Sequence, residues 1–143
     1  MDDIAGALTP LGTVTVGARE VLRLPGLAHL KTDIRVTVAE STPFTALVEA
    51  LHPTAALGVF PRSAGLSVLG QDGPHGRGRF GAPFGIEWPD GRASVLVAIR
   101  NVQWTGTTVL LGAGAGLIAE SRLEAEWAEL ALKRATVKGM LGL

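Results

Sequence analysis

The stretch RFGAPFGIEWPDGRASVLVAIRNVQWTGTTVLLGAGAGLIA, residues 79–119, decides the fold. It reads as strands in succession over 79–88, 93–104 and 107–119, divided by Pro89-Asp90-Gly91 and by Thr105-Gly106. Those dividers are turn formers, and the runs between them are rich in β-branched and aromatic residues. The middle run is apolar on both faces through Ile99, which predicts a strand inside the sheet with both sides covered. After the last run, Ser121-Arg122-Leu123-Glu124 has the spacing of a capping box, so a helix is expected from there to about residue 140.

Upstream, residues 1–9 have the apolar spacing of a short helix, cut off before Pro10. Residues 13–16 and 21–24 alternate like short strands, and 30–39 alternates strictly, with Ile34, Val36 and Val38 on one face. Thr42 is placed to cap a helix with Pro43 in its first position, and Phe44, Leu47, Val48 and Leu51 form its apolar stripe. Pro53 ends that helix by forcing His52 out of helical geometry. A further short helix is expected over 61–70, followed by a polar, glycine-rich loop over 71–79. Strands bracketed by helices, with no internal repeat or linker, predict one α+β domain over 1–143 with a mostly antiparallel sheet.

Composition narrows the function. Thirteen Lys+Arg balance thirteen Asp+Glu, so the basic surplus of a nucleic-acid or anionic-membrane binder is missing. There is no cysteine, hence no disulfide, thiolate metal site or thiol nucleophile. No apolar run approaches the roughly 20 residues needed to span a bilayer, and the acidic Met1-Asp2-Asp3 start is unlike a signal peptide. A cytoplasmic protein is expected. Mean hydropathy of +0.32 is high for 143 residues and predicts an apolar interface, hence self-association.

Two familiar motifs fail. Gly112-Ala113-Gly114-Ala115-Gly116 has Leu117 where a dinucleotide fingerprint needs its third glycine, and no Gly-Lys-Ser/Thr follows for a phosphate loop. A strand needing close backbone approach is the plainer explanation of these glycines. His29, His52 and His75 are too scattered for a metal site, and no Gly-x-Ser-x-Gly elbow is present.

One constellation survives. On the last helix Glu126, Glu129 and Lys133 fall within an arc of roughly 60°, beside the apolar stripe Leu123, Trp127, Leu130, Val137 and Leu141. Carboxylates so placed suit Mg²⁺, and a lysine one turn on would balance them; an ordinary solvated Glu–Lys pair has the same spacing. Arg100 shares a predicted strand face with Leu96, Ala98, Val102 and Trp104. A guanidinium there either binds a carboxylate in bidentate fashion or snorkels from the sheet edge.

Leu51-His52-Pro53-Thr54, Val97-Ala98-Ile99-Arg100, Gly114-Ala115-Gly116 and Glu126-Trp127-Ala128-Glu129-Leu130-Ala131-Leu132-Lys133 occur in that order. Together they resemble the C-terminal part of the chorismate-utilising enzymes, nearest the isochorismate synthase branch. Leu27-Ala28-His29-Leu30-Lys31-Thr32 adds to the resemblance, which runs from Asp2 to about residue 141. The resemblance implies Mg²⁺ and a chorismate-like dicarboxylate. It makes Glu129 a metal ligand with Glu126 close to the same ion. Lys133 and Arg100 become carboxylate-binding residues, the amides around Gly114 and Gly116 further donors, and His52 a pocket residue. Phe80 stands where many relatives carry tyrosine.

In the family, the lysine base, the glutamate acid and another metal-binding glutamate lie upstream of the matched part, and no catalytic residue is therefore assigned here. Lys31 and Lys138 sit outside any corresponding motif. The expectation is a truncated relative that binds without catalysing and covers its apolar surface as a homodimer. The alternative is one half of a split Mg²⁺-dependent isochorismate synthase completed by a missing-half partner. A mis-assigned start codon on a full-length enzyme is the third reading.

Overall fold

A computed structural model describes residues 2–24, 27–62 and 76–142. The chain divides into two compact units, Met1–Thr54 and Ala55–Leu143.

In the first unit, helix α1 (Asp2–Leu8) opens on Asp2 and Asp3, whose charges favour the helix N-terminus. It packs against strand β1 (Gly12–Leu24) and helix α2 (Phe44–Leu51), and it buries Leu8. β1 pairs antiparallel with β2 (Leu27–Val38) in a long ribbon. Val14 faces Val36 and Val16 faces Ile34, while Thr13, Thr15 and Arg35 lie on the other side. Between Val16 and Arg19 the register shifts, so Gly17 and Ala18 together oppose Asp33 alone. This bulge moves the inward set of β1 from even to odd positions and brings Val21 opposite Leu30 on the same face as Ile34. Two predicted strands, 13–16 and 21–24, are thus one strand interrupted in phase.

α2 ends as expected, with His52 extended (φ −99°, ψ 136°) and its N–H donating to Val48 O at 2.9 Å. Its start differs. Pro43 is the N-cap rather than the first helical residue, and no side chain caps the helix. The Thr42 N–H turns back to Ala39 O at 2.9 Å, which places Thr42 in the preceding turn. The helix expected over 61–70 falls outside the described residues from position 63 onward.

In the second unit, β3 (Pro83–Glu87) pairs antiparallel with β4 (Ala93–Val97). The connecting turn is the predicted one. Gly91 takes φ +82°, Trp88 N–H donates to Arg92 O at 2.7 Å, and Asp90 accepts from both the backbone and the Nε of Arg92. β5 (Gln103–Thr105) and β6 (Thr108–Leu110) form a second antiparallel pair around Gly106. Helix α3 (Leu123–Met140) closes the unit. The α+β class holds, and every described strand pairing is antiparallel.

Three local expectations are corrected. The run 93–104 is no single strand: regular extension stops at Val97 and resumes at Gln103, because the chain turns at Ile99 and Arg100. The run 107–119 is extended only through Leu110. The covered middle strand is instead open: among the described residues β4 pairs with β3 alone, and Leu96 on its face is 70% exposed. Among the described residues the buried apolar side chains are Leu8 and Val137, so the stripe on α3 is largely uncovered too, Trp127 included.

Gly12 and Gly6 make a contrasting pair within one unit. A Cβ on Gly12 would run into the Thr37 carbonyl, whereas one on Gly6, inside α1, meets nothing within 4 Å. Denaturant unfolding should show Gly12→Ala destabilised by about 1–3 kcal/mol and Gly6→Ala stabilised by about 0.5–1 kcal/mol. Equal stabilities would contradict the described register.

Candidate functional site

Residues 111–118 join β6 to α3 without regular structure, so their backbone amides and carbonyls are not consumed by a ladder. Two side chains fasten the segment to α3. Lys133 Nζ donates to Gly114 O at 2.8 Å, and Ser121 Oγ accepts from the Ile118 N–H at 3.1 Å. The same Ser121 hydroxyl donates to Glu126 Oε1 at 2.6 Å. Ser121 therefore does not cap the helix: the predicted capping box is absent, and Arg122 is the N-cap with no side-chain bond. The Ser121 oxygen accepts from Ile118, before the helix, and its proton goes to the carboxylate five residues on.

Lys133 also pairs with Glu129, Nζ to Oε1 at 2.6 Å. Glu four residues before Lys is the favourable order on a helix, worth a few tenths of a kcal/mol when exposed. Here the lysine is only 21% exposed and the glutamate 52%. An ammonium carries three donors and these contacts use two, leaving one for a ligand. The predicted neighbours Glu126, Glu129, Lys133 and Gly114 are thus brought together.

The glycines separate by cause. A Cβ on Gly112 would stand 2.6 Å from Cδ2 of Phe80, and one on Gly114 would stand 3.3 Å from its Cε1. A Cβ on Gly116 would meet nothing within 4 Å. The ring of Phe80 therefore accounts for the first two, and only Gly116 opens onto free space. Phe80 is the residue that motif reading missed as a structural partner; its sole signal was an aromatic in an aromatic-poor chain.

Arg100 is placed differently from the expectation. Ile99 N–H donates back to Val97 O at 2.8 Å, and Arg100 follows at φ +55°, a left-handed conformation that costs a non-glycine residue about 1–2 kcal/mol. It therefore shares no strand face with Leu96 and Val102. Its guanidinium is exposed and makes no ion pair or hydrogen bond among the described residues. Beside it, Asn101 Oδ1 is buried without a partner. His52 is half-buried at the end of α2, in the other unit.

Mg²⁺ takes near-octahedral oxygen shells and usually keeps several waters beside one or two carboxylates. Glu126 and Glu129 are of the right type, but each carboxylate is already held, by Ser121 and Lys133 respectively. No group of three or more His, Asp or Glu placed to hold a metal occurs among the described residues. No helix among the described residues is long and apolar enough to cross a membrane.

With that geometry in view, comparison with known proteins places the chain. It is 35% identical over 143 residues to the salicylate biosynthesis isochorismate synthase of Pseudomonas aeruginosa, covering 99% of this chain and 30% of that protein. It is 35% identical over 116 residues to isochorismate synthase MenF of Bacillus subtilis, covering 80% and 24%, and 32% identical over 124 residues to EntC of Escherichia coli, covering 87% and 32%. The chain thus spans 24–32% of the length of these relatives. Among solved structures it resembles DhbC of Bacillus anthracis, provisionally assigned as a 2,3-dihydroxybenzoate-specific isochorismate synthase, with a TM-score of 0.86 and 31% identity over 99% of this chain and 39% of that one. The match to the chorismate binding enzyme profile extends over residues 1–142, and with it the resemblance drawn from the motifs becomes membership: the chain belongs to the chorismate binding enzyme family.

Proposed function

We propose that this polypeptide binds a chorismate-type dicarboxylate and does not convert it on its own. The observation that carries the reading is the Lys133 ammonium held at Gly114 O, a cation with a spare donor fixed two residues from the open backbone at Gly116. One ligand carboxylate is received there. Arg100, unpaired and exposed, takes the second, and a guanidinium meets a carboxylate best through two parallel N–H bonds. Glycine at 116 matters because a ligand can approach the amide without a Cβ in the way.

Isomerising a chorismate ring needs a base and an acid within hydrogen-bond reach of the reacting atoms. The lysines of the described chain other than Lys133 are poor candidates. Lys31 pairs with Asp33 at 3.1 Å on the β1–β2 ribbon, and Lys138 lies in the last turn of α3. Glu126 and Glu129 contribute to a Mg²⁺ site only weakly in this polypeptide, because an ion must compete with Ser121 and Lys133 for them. The cytoplasm is the compartment this reading assigns.

A second reading, one half of a split Mg²⁺-dependent isochorismate synthase, is favoured by a different observation. Phe84, Leu96, Trp104, Leu117, Ile118 and Leu123 are each more than two-thirds exposed, an apolar surface that calls for a cover. In the first reading a second copy supplies that cover, as a twofold dimer.

Three outcomes follow. The purified chain should show no Mg²⁺-dependent conversion of chorismate; measurable turnover would refute the first reading. Calorimetry should detect chorismate binding that changes little with Mg²⁺ and weakens about tenfold or more in Arg100→Ala, as loss of one charge-assisted contact requires. Binding that is equal in both proteins would remove Arg100 from the site. Sedimentation velocity at micromolar concentration should show a dimer, and a stable monomer would count against self-association.

A further inference from the structure

Phe80 touches the supports of every proposed carboxylate-binding element of the second unit. Its ring lies against Gly112 and Gly114, and Gly114 O is the acceptor that holds Lys133. Its backbone belongs to a turn in which Phe80 N–H donates to Arg77 O at 2.9 Å. The next residue, Gly81, is buried at φ +81° and donates to Ala98 O at 2.9 Å, and Ala98 N–H returns to Ala82 O at 2.8 Å. Ala98 stands two residues before Arg100. One aromatic residue thus links the end of β4, where the chain turns into Arg100, with the glycine segment and through it with α3.

The contact is specific in shape. A flat ring comes closest to a backbone where Cβ atoms are missing, and of the three glycines in 112–116 the two it covers are those where a Cβ would collide or crowd. A branched aliphatic side chain would fill similar volume without presenting a plane. Without the ring, the 111–118 segment has no ladder to fix its height above Lys133, and the ammonium loses its fixed acceptor.

We propose that Phe80 is the positioning residue of the carboxylate-binding surface, setting the Gly112–Gly114 backbone at the height where Lys133 and Arg100 engage one ligand together. This rests on the dicarboxylate-binding reading above. It assigns Phe80 no contact with the ligand. It also predicts a reciprocal dependence between positions 80 and 112: each glycine is required by the ring, and the ring is useful only over glycine.

The test combines Phe80→Ala, Phe80→Leu, Phe80→Tyr, Gly112→Ala and the double variant Phe80→Ala/Gly112→Ala, with Phe84→Ala on the exposed face of β3 as control. Two readouts are taken: the ¹⁵N-detected Lys133 ammonium signal without ligand, and chorismate affinity by calorimetry. Phe80→Ala should lose the slow-exchanging Lys133 signal and the ring-current shifts at Gly112 and Gly114, and should bind about tenfold or more weakly, the scale expected of a displaced binding group. Phe80→Tyr, which keeps the ring, should retain both, as should Phe84→Ala. Gly112→Ala should unfold or lose the signal in the wild-type background and be tolerated in Phe80→Ala, a non-additivity that marks direct contact. Should Phe80→Ala not fold, Phe80→Leu carries the same comparison. A folded Phe80→Ala or Phe80→Leu with an unchanged Lys133 signal and unchanged affinity overturns the proposal. Wild type that fails to bind chorismate would defeat the dicarboxylate reading instead, and the Lys133 signal would still decide the role of Phe80.

Discussion

The hydrogen bond from Lys133 Nζ to Gly114 O is the interaction on which the arrangement around α3 depends. The segment 111–118 has no strand partner among the described residues, and side chains hold it there rather than a ladder. A charged donor is well suited to that task, since charge-assisted bonds are roughly twice as strong as neutral ones. The bond also explains the state of Glu129, which shares the ammonium, and it leaves one N–H of Lys133 unspent. Ser121 repeats the device on a smaller scale, joining the Ile118 amide to the Glu126 carboxylate. Lys133, Gly114 O, the Ile118 amide and both glutamates therefore each have a partner within the chain.

That internal satisfaction contrasts with the apolar surface around it. Leu8 and Val137 are the buried apolar side chains among the described residues, while both strands of the β3–β4 pair are open to solvent. Apolar area left in water forgoes about 25 cal/mol per Å², so this surface gains most from being covered. The relatives quoted above have chains about three times as long.

Much of this was legible in the sequence, and the failures share a cause. Pro53 after α2, Asp90-Gly91 in the hairpin and the 3.6-residue spacing of Glu126, Glu129 and Lys133 are local signals, and each appears in the structure as its chemistry dictates. The bulge at Gly17 and Ala18 was not legible, because one extra residue inverts the alternation and makes one strand look like two. Arg100 gave no sign of its left-handed backbone, a conformation announced by glycine or asparagine and not by arginine. The capping box was a spacing match whose serine oxygen accepts from the Ile118 N–H rather than from the first turn of the helix. Phe80 was read by the hydroxyl it lacks, while the structure shows what its ring does to Gly112 and Gly114. Periodicity reports what a residue's neighbours in sequence require, and these residues answer to neighbours far along the chain.

The central claim is that the 114–116 backbone, Lys133 and Arg100 form one carboxylate-binding surface. An amide and side-chain NMR titration of the ¹⁵N-labelled chain with chorismate tests it most directly. The account predicts saturable shifts that begin at Gly114, Ala115, Gly116, the Lys133 ammonium and the Arg100 guanidinium, all with one dissociation constant. Shifts that leave these groups unmoved, or that move Lys133 and Arg100 with different dissociation constants, would contradict it.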